Sequence, residues 1–205
     1  MKTSPYESNR RVYNKLGKKY LDGIKNTIST RRLLFSKLFK SGDRILDVGC
    51  AGGRDSKFFI KKGLNVTGID FSTVLLNFAR KEVPQATFKK MNLLNLNFKK
   101  ETFNGIWANA VLHHLKRKDV PKVLGRLYKV LKQNGTLHLT VKKGAGEEYA
   151  KENLSYGEKR FFTYFSKAEM EKLLKAQGFK ITFSKVIPDE HKRVGLFSVA
   201  IWAQK

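Results

Sequence analysis

The segment from residue 44 to residue 70 constrains the fold more than any other part of the sequence. Its pattern predicts a strand over 44–48, a glycine-rich turn over 49–53, a helix over 54–62 and a strand over 65–69. Short apolar runs that alternate with helical patterns are typical of parallel strands joined by crossover helices. We therefore predict an α/β unit in which Asp70 stands directly after the second strand.

The same alternation continues to the end of the chain. Further strands are predicted over 86–90, 103–108, 136–141, 180–186 and 195–203, and further helices over 72–82, 119–132 and 166–176. No helix separates the last two strands, so they should pair as an antiparallel hairpin. The predicted fold class is α/β: a doubly wound, mainly parallel seven-stranded sheet with an antiparallel C-terminal hairpin and helices on both faces.

The first forty residues are predicted to form two helices that cover this unit. Each helix carries a stripe of apolar or aromatic side chains at helical spacing. The stripes are Tyr6, Tyr13 and Tyr20 on the first helix and Ile28, Leu34, Phe35 and Leu38 on the second.

The chain is strongly basic, with 42 Lys and Arg against 17 Asp and Glu and a formal charge of +25. Ten basic residues lie between residues 10 and 40, and seven lie between residues 116 and 132. Such a charge is expected of a protein that binds nucleic acid, here tRNA or rRNA. A biased composition is the open alternative, because 31 of the basic residues are Lys and they are spread along the chain.

Several classes of protein are excluded or disfavoured by composition. The apolar runs are too short to cross a bilayer, and the first residues carry no apolar signal region. A single cysteine, Cys50, cannot form an intramolecular disulfide framework or a multi-cysteine zinc site. We expect a cytoplasmic protein with no membrane partner and no metal.

The glycine-rich turn followed by Asp70 predicts a nucleotide site. Glycines at a strand–helix junction let the backbone approach a ligand closely, and an acid after the next strand suits a ribose diol. The dinucleotide fingerprint is not present, since Ala51 and Arg54 stand where its second and third glycines would be. A nicotinamide-dependent oxidoreductase is therefore disfavoured.

Four segments resemble the motifs of the class I S-adenosylmethionine-dependent methyltransferase family. They are LDVGCAGGRDS at 46–56, GIDFS at 68–72, FNGIWANAVLHHL at 103–115 and VLKQNGTL at 130–137. The resemblance implies a Rossmann-like methyltransferase fold and S-adenosyl-L-methionine as the cofactor. It also implies a single methyltransferase domain over 1–205, with 1–40 as a helical cover and 41–205 as the α/β core.

The resemblance implies a role for each residue of the first two motifs. Gly49, Ala51 and Gly53 would let the loop pass the methionine end of the cofactor, with Asp47 beneath it. Asp70 would accept hydrogen bonds from the ribose hydroxyls. Ala51 departs from the family pattern, which usually has glycine there.

Other residues receive cofactor-binding roles in the same way. Asn92 stands where the family usually has an Asp for the adenine amine, and its amide oxygen can still accept a hydrogen bond. Leu93 would pack on the adenine ring, and Asn109 or Ala110 would line the donor side. Phe71 belongs to the second motif, next to Asp70.

Two further residues carry implied roles. Arg54 would approach the cofactor carboxylate, or else form a salt bridge. Tyr20 lies on the helix that in this family often folds over the cofactor.

The resemblance does not name the methyl acceptor, which we expect to be an O, N or S atom in RNA or a small molecule. His113 is the predicted catalytic base and His114 the alternative, with a packing role open for both. The aromatic run 161–165 would shape the acceptor pocket or belong to the core. We expect a monomer or weak homodimer. The alternative function is an inactive methyltransferase fold that acts as a basic nucleic-acid-binding module, which Ala51 and Asn92 would explain.

Overall fold

A computed structural model describes residues 4–25, 30–189 and 195–205 of the chain; Ile28, predicted on the second helix stripe, lies outside them. The α-helices are α1 (Pro5–Leu16), α2 (Lys18–Ile24), α3 (Thr30–Ser36), α4 (Arg54–Lys61), α5 (Thr73–Glu82), α6 (Val120–Val130) and α7 (Lys167–Ala176). The strands are β1 (Arg44–Val48), β2 (Asn65–Asp70), β3 (Thr87–Lys90), β4 (Phe103–Asn109), β5 (Leu131–Lys142), β6 (Glu147–Lys151), β7 (Lys159–Thr163), β8 (Lys180–Pro188) and β9 (Phe197–Gln204). Within the described ranges, no helix is long and apolar enough to span a bilayer.

Seven strands form one sheet in the order β3-β2-β1-β4-β5-β9-β8. The first five are parallel to one another, whereas β9 runs antiparallel to both β5 and β8. This arrangement confirms the predicted mainly parallel sheet with its antiparallel hairpin. It brings the carboxyl ends of β1, β2 and β4 together at one edge, where ligands bind in open α/β sheets.

Alternate residues of the central strands are buried on opposite faces of the sheet. On one face Leu46 and Val48 belong to a core that includes Leu124 of α6. On the other face Ile45 packs in a core with Phe35 of α3 and with other aromatic side chains. The apolar strand segments are buried on both faces, as a doubly wound fold requires.

The helices that follow β2 and β7 begin at the predicted caps. The Ser72 hydroxyl accepts the backbone N–H of Leu75 at 3.1 Å, and the Ser166 hydroxyl accepts that of Glu169 at 3.1 Å. Each hydroxyl satisfies a backbone donor that the first helical turn leaves without a partner. The cap at Ser72 also fixes where the chain turns after Asp70.

The structure corrects the sequence prediction in two places. Three helices, not two, occupy the N-terminal region among the described residues, because Gly17 adopts φ +47° and ψ −122° and divides α1 from α2. A two-stranded antiparallel ribbon, β6 with β7, lies between β5 and α7 where no strand was predicted. This ribbon contacts α1 and carries the first part of the aromatic run 161–165.

Candidate active site

An open cavity of about 1090 Å³, counting its mouth, lies at the carboxyl ends of β1, β2 and β4. It is lined by Tyr6, Tyr13, Tyr20, Ile24, Asp47, Gly49, Cys50, Ala51, Arg54, Asp55, Ile69, Asp70, Phe71, Leu75, Met91, Asn92, Leu93, Asn109, Ala110, Val111, His114 and Leu115. The fold therefore gathers segments from the N-terminal helices, three strand ends and the loop after β4 around one space.

The glycine-rich turn is held against the end of β2. The backbone N–H groups of Gly49 and Cys50 both donate to the carbonyl of Ile69, at 2.8 and 3.0 Å. Gly49 has φ +70°, and a Cβ built on it would lie 2.6 Å from the Val111 side chain. This position therefore needs glycine both for its backbone conformation and for its close packing.

Ala51 occupies the left-handed region, with φ +47°. Its backbone N–H donates to the Asp70 carboxylate at 3.0 Å. A non-glycine residue in this region costs about 1 kcal/mol or more. Ala51, which replaces the glycine usual in the family, is thus a strained residue in the loop that borders the cavity.

Asp70 faces the cavity from the end of β2 and is 7% exposed. Besides the Ala51 N–H, its carboxylate accepts the backbone N–H of Ser72 at 2.8 Å. Burial raises the pKa of Asp70 to about 6, although these two N–H groups act in the opposite direction. The carboxylate oxygens are therefore fixed in place and ready to accept further donors.

Asp47 lies beneath the turn and is 2% exposed. Its carboxylate accepts the hydroxyl of Ser56 at 2.6 Å. Burial, followed by the nearby charge of Asp55, raises the pKa of Asp47 to about 7. Asp47 also borders the cavity, and its role beneath a bound cofactor stays a prediction.

Asp55 is the centre of a buried ion-pair cluster next to the cavity. It accepts from Arg32 Nη1 at 2.6 Å, from Arg54 Nε at 2.9 Å and from Trp107 Nε1 at 2.8 Å. Burial by itself would raise the pKa of Asp55, but Arg54 and Arg32 hold it below its usual value. Arg54 also donates to the Ile24 carbonyl at 3.1 Å. Its salt bridge is therefore present, and it borders the cavity at the same time.

The residues predicted to meet an adenine ring lie on the segment after β3. The Asn92 side-chain oxygen accepts the backbone N–H of Leu94 at 2.9 Å, which closes a short turn. Leu93 is 9% exposed and lines the cavity beside Asn92. An amide oxygen has two lone pairs, so Asn92 keeps one for a ligand.

Asn109 stands on the opposite wall, at the end of β4. Its side-chain oxygen accepts the Thr140 hydroxyl at 2.6 Å, and the same hydroxyl oxygen accepts the Ala110 backbone N–H at 2.8 Å. These hydrogen bonds hold Asn109 and Ala110 in place on the wall that was predicted to face the methyl donor.

Helices α1 and α2 bring three tyrosines to the cavity: Tyr6, Tyr13 and Tyr20. The Tyr13 ring meets the Tyr20 ring edge to face, with centroids 4.9 Å apart, and lies 6.0 Å from the Phe71 ring. The Tyr6 hydroxyl donates to the Asp119 carboxylate. The seven-residue spacing in the sequence therefore marks one wall of the site.

The structure places His114, and not His113, on the cavity wall. The Tyr13 hydroxyl lies 2.8 Å from His114 Nε2, and the Phe161 carbonyl lies 3.0 Å from His114 Nδ1. His113 is 5% exposed and packs behind it, 5.7 Å from the Phe162 ring. The sequence favoured His113 as the residue that faces the site, but in the structure His114 faces it. Successive residues of the short 3₁₀ turn over 112–114 point in different directions, so only one of the two rings can face the cavity. Burial, followed by the charge of Arg160, lowers the pKa of His114 to about 3.

Most residues predicted to bind the cofactor lie around the cavity. Those that do are Asp47, Gly49, Ala51, Arg54, Asp70, Phe71, Asn92, Leu93, Asn109 and Tyr20. Gly53 does not: it caps α4 with φ +80° and packs against Phe88 and Ala79. Its role is to let the chain turn from the loop into the helix.

Some lining residues carried no sequence signal for this role. Met91, Val111 and Leu115 are ordinary apolar residues in the sequence, and only the fold brings them to the cavity. The run 161–165 contributes no lining residue, and Phe161, Phe162 and Phe165 are each at most 5% exposed. Of the two interpretations of that run, the structure supports the core.

A family described as "Methyltransferase domain" matches residues 45–135 of the chain. This segment contains the glycine-rich turn, Asp70, Asn92 and both histidines. It therefore includes most of the residues that surround the cavity.

Two curated relatives illustrate the similarity. The chain is 26% identical over 166 residues to phosphoethanolamine N-methyltransferase of Plasmodium falciparum, covering 78% of this chain and 62% of the relative. It is 35% identical over 79 residues to ubiquinone biosynthesis O-methyltransferase of Actinobacillus pleuropneumoniae, covering 38% of this chain and 31% of the relative. The aligned parts thus span less than two thirds of these relatives.

A solved structure shares the fold over the whole chain. The 1,6-didemethyltoxoflavin-N1-methyltransferase of Burkholderia thailandensis, solved with 1,6-didemethyltoxoflavin and S-adenosylhomocysteine, superposes with a TM-score of 0.75 at 20% identity. The alignment covers 100% of this chain and 92% of that protein.

Proposed function

This chain belongs to the class I S-adenosylmethionine-dependent methyltransferase family, and we propose that it transfers a methyl group from S-adenosylmethionine to an O, N or S acceptor. One observation carries the proposal. The glycine-rich turn, Asp70 and the segment of Asn92 and Leu93 border one cavity at the carboxyl edge of the sheet.

The residues around the cavity fit this cofactor. The Asp70 carboxylate would accept the ribose hydroxyls, and Leu93 with Asn92 would receive the adenine ring and its amine. Gly49 packs closely on Val111 and lines the cavity, so the backbone of the turn would lie beside the cofactor. Arg54, on the same side as this turn, would meet the cofactor's carboxylate. When bound, the cofactor supplies an activated methyl group, so the protein has mainly to align the acceptor with it.

A protonated acceptor also has to lose a proton, and Tyr13 and His114 are placed to take it. The Tyr13 oxygen would receive the acceptor's proton while its own proton passes to His114 Nε2, 2.8 Å away. His114 is neutral in the neutral pH range because its pKa is low, so Nε2 can accept this proton during methyl transfer but must then release it to solvent. We therefore assign this role to His114, since His113 does not reach the cavity.

We propose a small molecule as the first class of acceptor to test. The two curated relatives named above carry names that refer to small molecules, and the cavity is bordered on one side by the N-terminal helices. RNA is the second class, favoured by the charge of +25 and by the exposed Arg11, Lys15, Lys18 and Lys19 on α1 and α2. The cytoplasmic location, the single domain over 1–205 and the monomer or weak homodimer stay predictions.

Labelled methyl transfer tests this proposal. The protein is incubated with methyl-labelled S-adenosylmethionine and either tRNA or a small-molecule extract that has been freed of macromolecules. We expect label in a small product that depends on the protein and disappears in the His114→Ala variant. Label in tRNA would identify RNA as the acceptor. Tight cofactor binding with no label in either fraction would contradict the catalytic role.

A further inference from the structure

Arg160 is a buried cation at the back of the tyrosine wall. It lies on β7, is 3% exposed and donates from all three guanidinium nitrogens. Nε donates to the Ser155 hydroxyl at 3.0 Å, Nη1 to the Tyr13 hydroxyl oxygen at 2.6 Å and Nη2 to the Glu152 carboxylate at 3.3 Å. The planar fork of an arginine is therefore fixed from three directions.

This fixed donor determines what the Tyr13 hydroxyl does. Because the phenol oxygen accepts from Arg160, its own hydrogen must point elsewhere. Two acceptors face it: His114 Nε2 at 2.8 Å and the hydroxyl of the neighbouring Tyr20. An imidazole nitrogen with a free lone pair accepts a hydrogen bond more strongly than a phenol oxygen, so the hydrogen is directed to His114.

The other side of His114 fixes which nitrogen has that lone pair. The Phe161 carbonyl, 3.0 Å from Nδ1, can only accept, whereas Asn9 Nδ2, 3.1 Å from the same ring nitrogen, can only donate. Because Asn9 Nδ2 already donates to this carbonyl, we assign the imidazole proton to Nδ1, which leaves Nε2 free. Asn9 holds this carbonyl by donating to it at 3.0 Å and accepting the Phe161 N–H at 2.7 Å. Two adjacent residues of β7, Arg160 and Phe161, thus act on both ends of the Tyr13–His114 pair.

We propose that Arg160 is a positioning residue for methyl transfer: it directs the Tyr13 hydroxyl hydrogen to His114 and holds this pair in one hydrogen-bonded arrangement. The inference rests on the proposed function, because the pair borders the cavity assigned to the acceptor. Arg160 itself does not border the cavity, so it acts through Tyr13.

The charge of Arg160 also keeps His114 neutral before methyl transfer. It disfavours a second proton on His114, and burial acts in the same direction. Other charged or titratable groups also face His114. They are Tyr13 from α1, His113 from its own turn, Lys142 from β5 and Glu152 from the segment after β6. Lys142 pairs with Glu152 at 2.5 Å and is a second cation whose charge acts on His114.

The experiment uses the full chain labelled with ¹⁵N-histidine, with S-adenosylhomocysteine added, and follows the His114 ring nitrogens by NMR against pH. In the wild type we expect an Nδ1-protonated, neutral ring whose titration midpoint lies near pH 3. In Arg160→Met we expect the titration midpoint to rise by about 1 pH unit or more and the Nε2 signal to change at neutral pH. Arg160→Lys should restore most of the wild-type spectrum.

Lys142→Met is the matched control, since it removes a nearby cation and leaves the Arg160–Tyr13 bond. It should move the titration midpoint less and leave the neutral-pH Nε2 signal unchanged. If Arg160→Met keeps the wild-type Nε2 signal and midpoint, the positioning role is overturned. Should Arg160→Met fail to fold, the wild-type spectrum still decides, because a His114 protonated on Nε2 contradicts the proposal. Failure of the wild type to bind S-adenosylhomocysteine in calorimetry would instead count against the proposed function.

Discussion

The Asp70 carboxylate accepts the backbone N–H of Ala51 across 3.0 Å, at a residue whose φ is +47°. Asp70, at the end of β2, thereby holds the glycine-rich turn in place through Ala51, the strained residue of that turn. The acid that we propose as the acceptor of the ribose hydroxyls thus also shapes the glycine-rich turn. Changes at either residue should therefore affect both the loop and the affinity for the cofactor.

Replacing Ala51 by glycine should stabilise the protein. The substitution removes the cost of a left-handed alanine, although glycine gains freedom in the unfolded chain, so we expect a net gain of up to about 1 kcal/mol in the free energy of unfolding. Chemical denaturation measures this difference. Ala168→Gly, in an exposed position of α7, is the control and should destabilise by about 0.5–1 kcal/mol. A loss of stability in Ala51→Gly equal to that of the control would contradict the account.

Binding of the cofactor should release a proton when the pH is below about 6. Burial raises the pKa of Asp70 to about 6, and hydrogen bonds from ribose hydroxyls favour its ionised form. The affinity should therefore fall as the pH drops through 6, by up to about tenfold per pH unit. Calorimetry in buffers of different ionisation enthalpy counts the protons. Asp70→Asn should bind more weakly at pH 8 and lose this dependence; an unchanged dependence would assign it to another group.

The Asp70 carboxyl should also make the free energy of unfolding of the cofactor-free protein decrease as the pH rises. The pKa of Asp70 in the folded state lies above that of an unfolded aspartate, about 3.9. The unfavourable burial of the charge is therefore absent at low pH and develops as the pH rises from about 4 to about 6. Compared with Asp70→Asn, the wild type should lose unfolding free energy over this range. A constant difference between the two proteins would show that Asp70 titrates normally.

His138 should make the wild type sensitive to mild acid. It is fully buried on β5, stacks on Trp107 at 4.0 Å and has no hydrogen-bond partner on either ring nitrogen among the described residues. Burial, and then Arg31, hold its pKa well below 6.5. Below pH 6.5 the unfolded chain takes up a proton that the folded protein does not, so stability falls.

The variant His138→Phe tests this account of the acid sensitivity. Its advantage over the wild type should grow by about 1–2 kcal/mol in unfolding free energy between pH 7 and pH 5. Denaturation curves at both pH values measure it. An advantage that stays constant with pH would mean that His138 takes up a proton at the same pH in the folded and the unfolded protein.

The two histidines should differ in their effect on methyl transfer. With the acceptor found by the labelling experiment, His114→Ala should lower the transfer rate about 100-fold or more and leave cofactor affinity nearly unchanged. His113→Ala removes a packed ring and should mainly lower stability. Initial rates and calorimetry separate the two effects. Equal loss of rate in both variants at equal stability would contradict the assignment to His114.

The sequence predicted those parts of the fold that depend on local pattern. The strand over 44–48, the cap at Ser72 and the antiparallel hairpin follow from apolar runs, a capping hydroxyl and a missing crossover helix. The ribbon of β6 and β7 was not predictable in this way. Strand β6 is mostly exposed and has no apolar alternation, so it is a strand only through its pairing with β7.

In the candidate site, too, the features set by local sequence were predictable and those set by distant contacts were not. Asp70 and the glycine-rich turn are recognised because their spacing along the chain reflects a local strand–turn–helix unit. The choice between His113 and His114 depends on ring directions that Phe161 and Tyr13 determine from distant parts of the chain. Such contacts leave no signal in the sequence around the histidines.

The most direct test of the account is calorimetric titration of the full chain with S-adenosylhomocysteine at pH 8, beside Asp70→Ala. We expect one molecule bound per chain by the wild type and a roughly 10- to 100-fold weaker affinity in the variant, as for loss of hydrogen bonds to a charged group. Equal heats for both proteins, or no binding by the wild type at millimolar ligand, would contradict a cofactor site built on Asp70. The interpretation as an inactive basic nucleic-acid-binding module would then take its place.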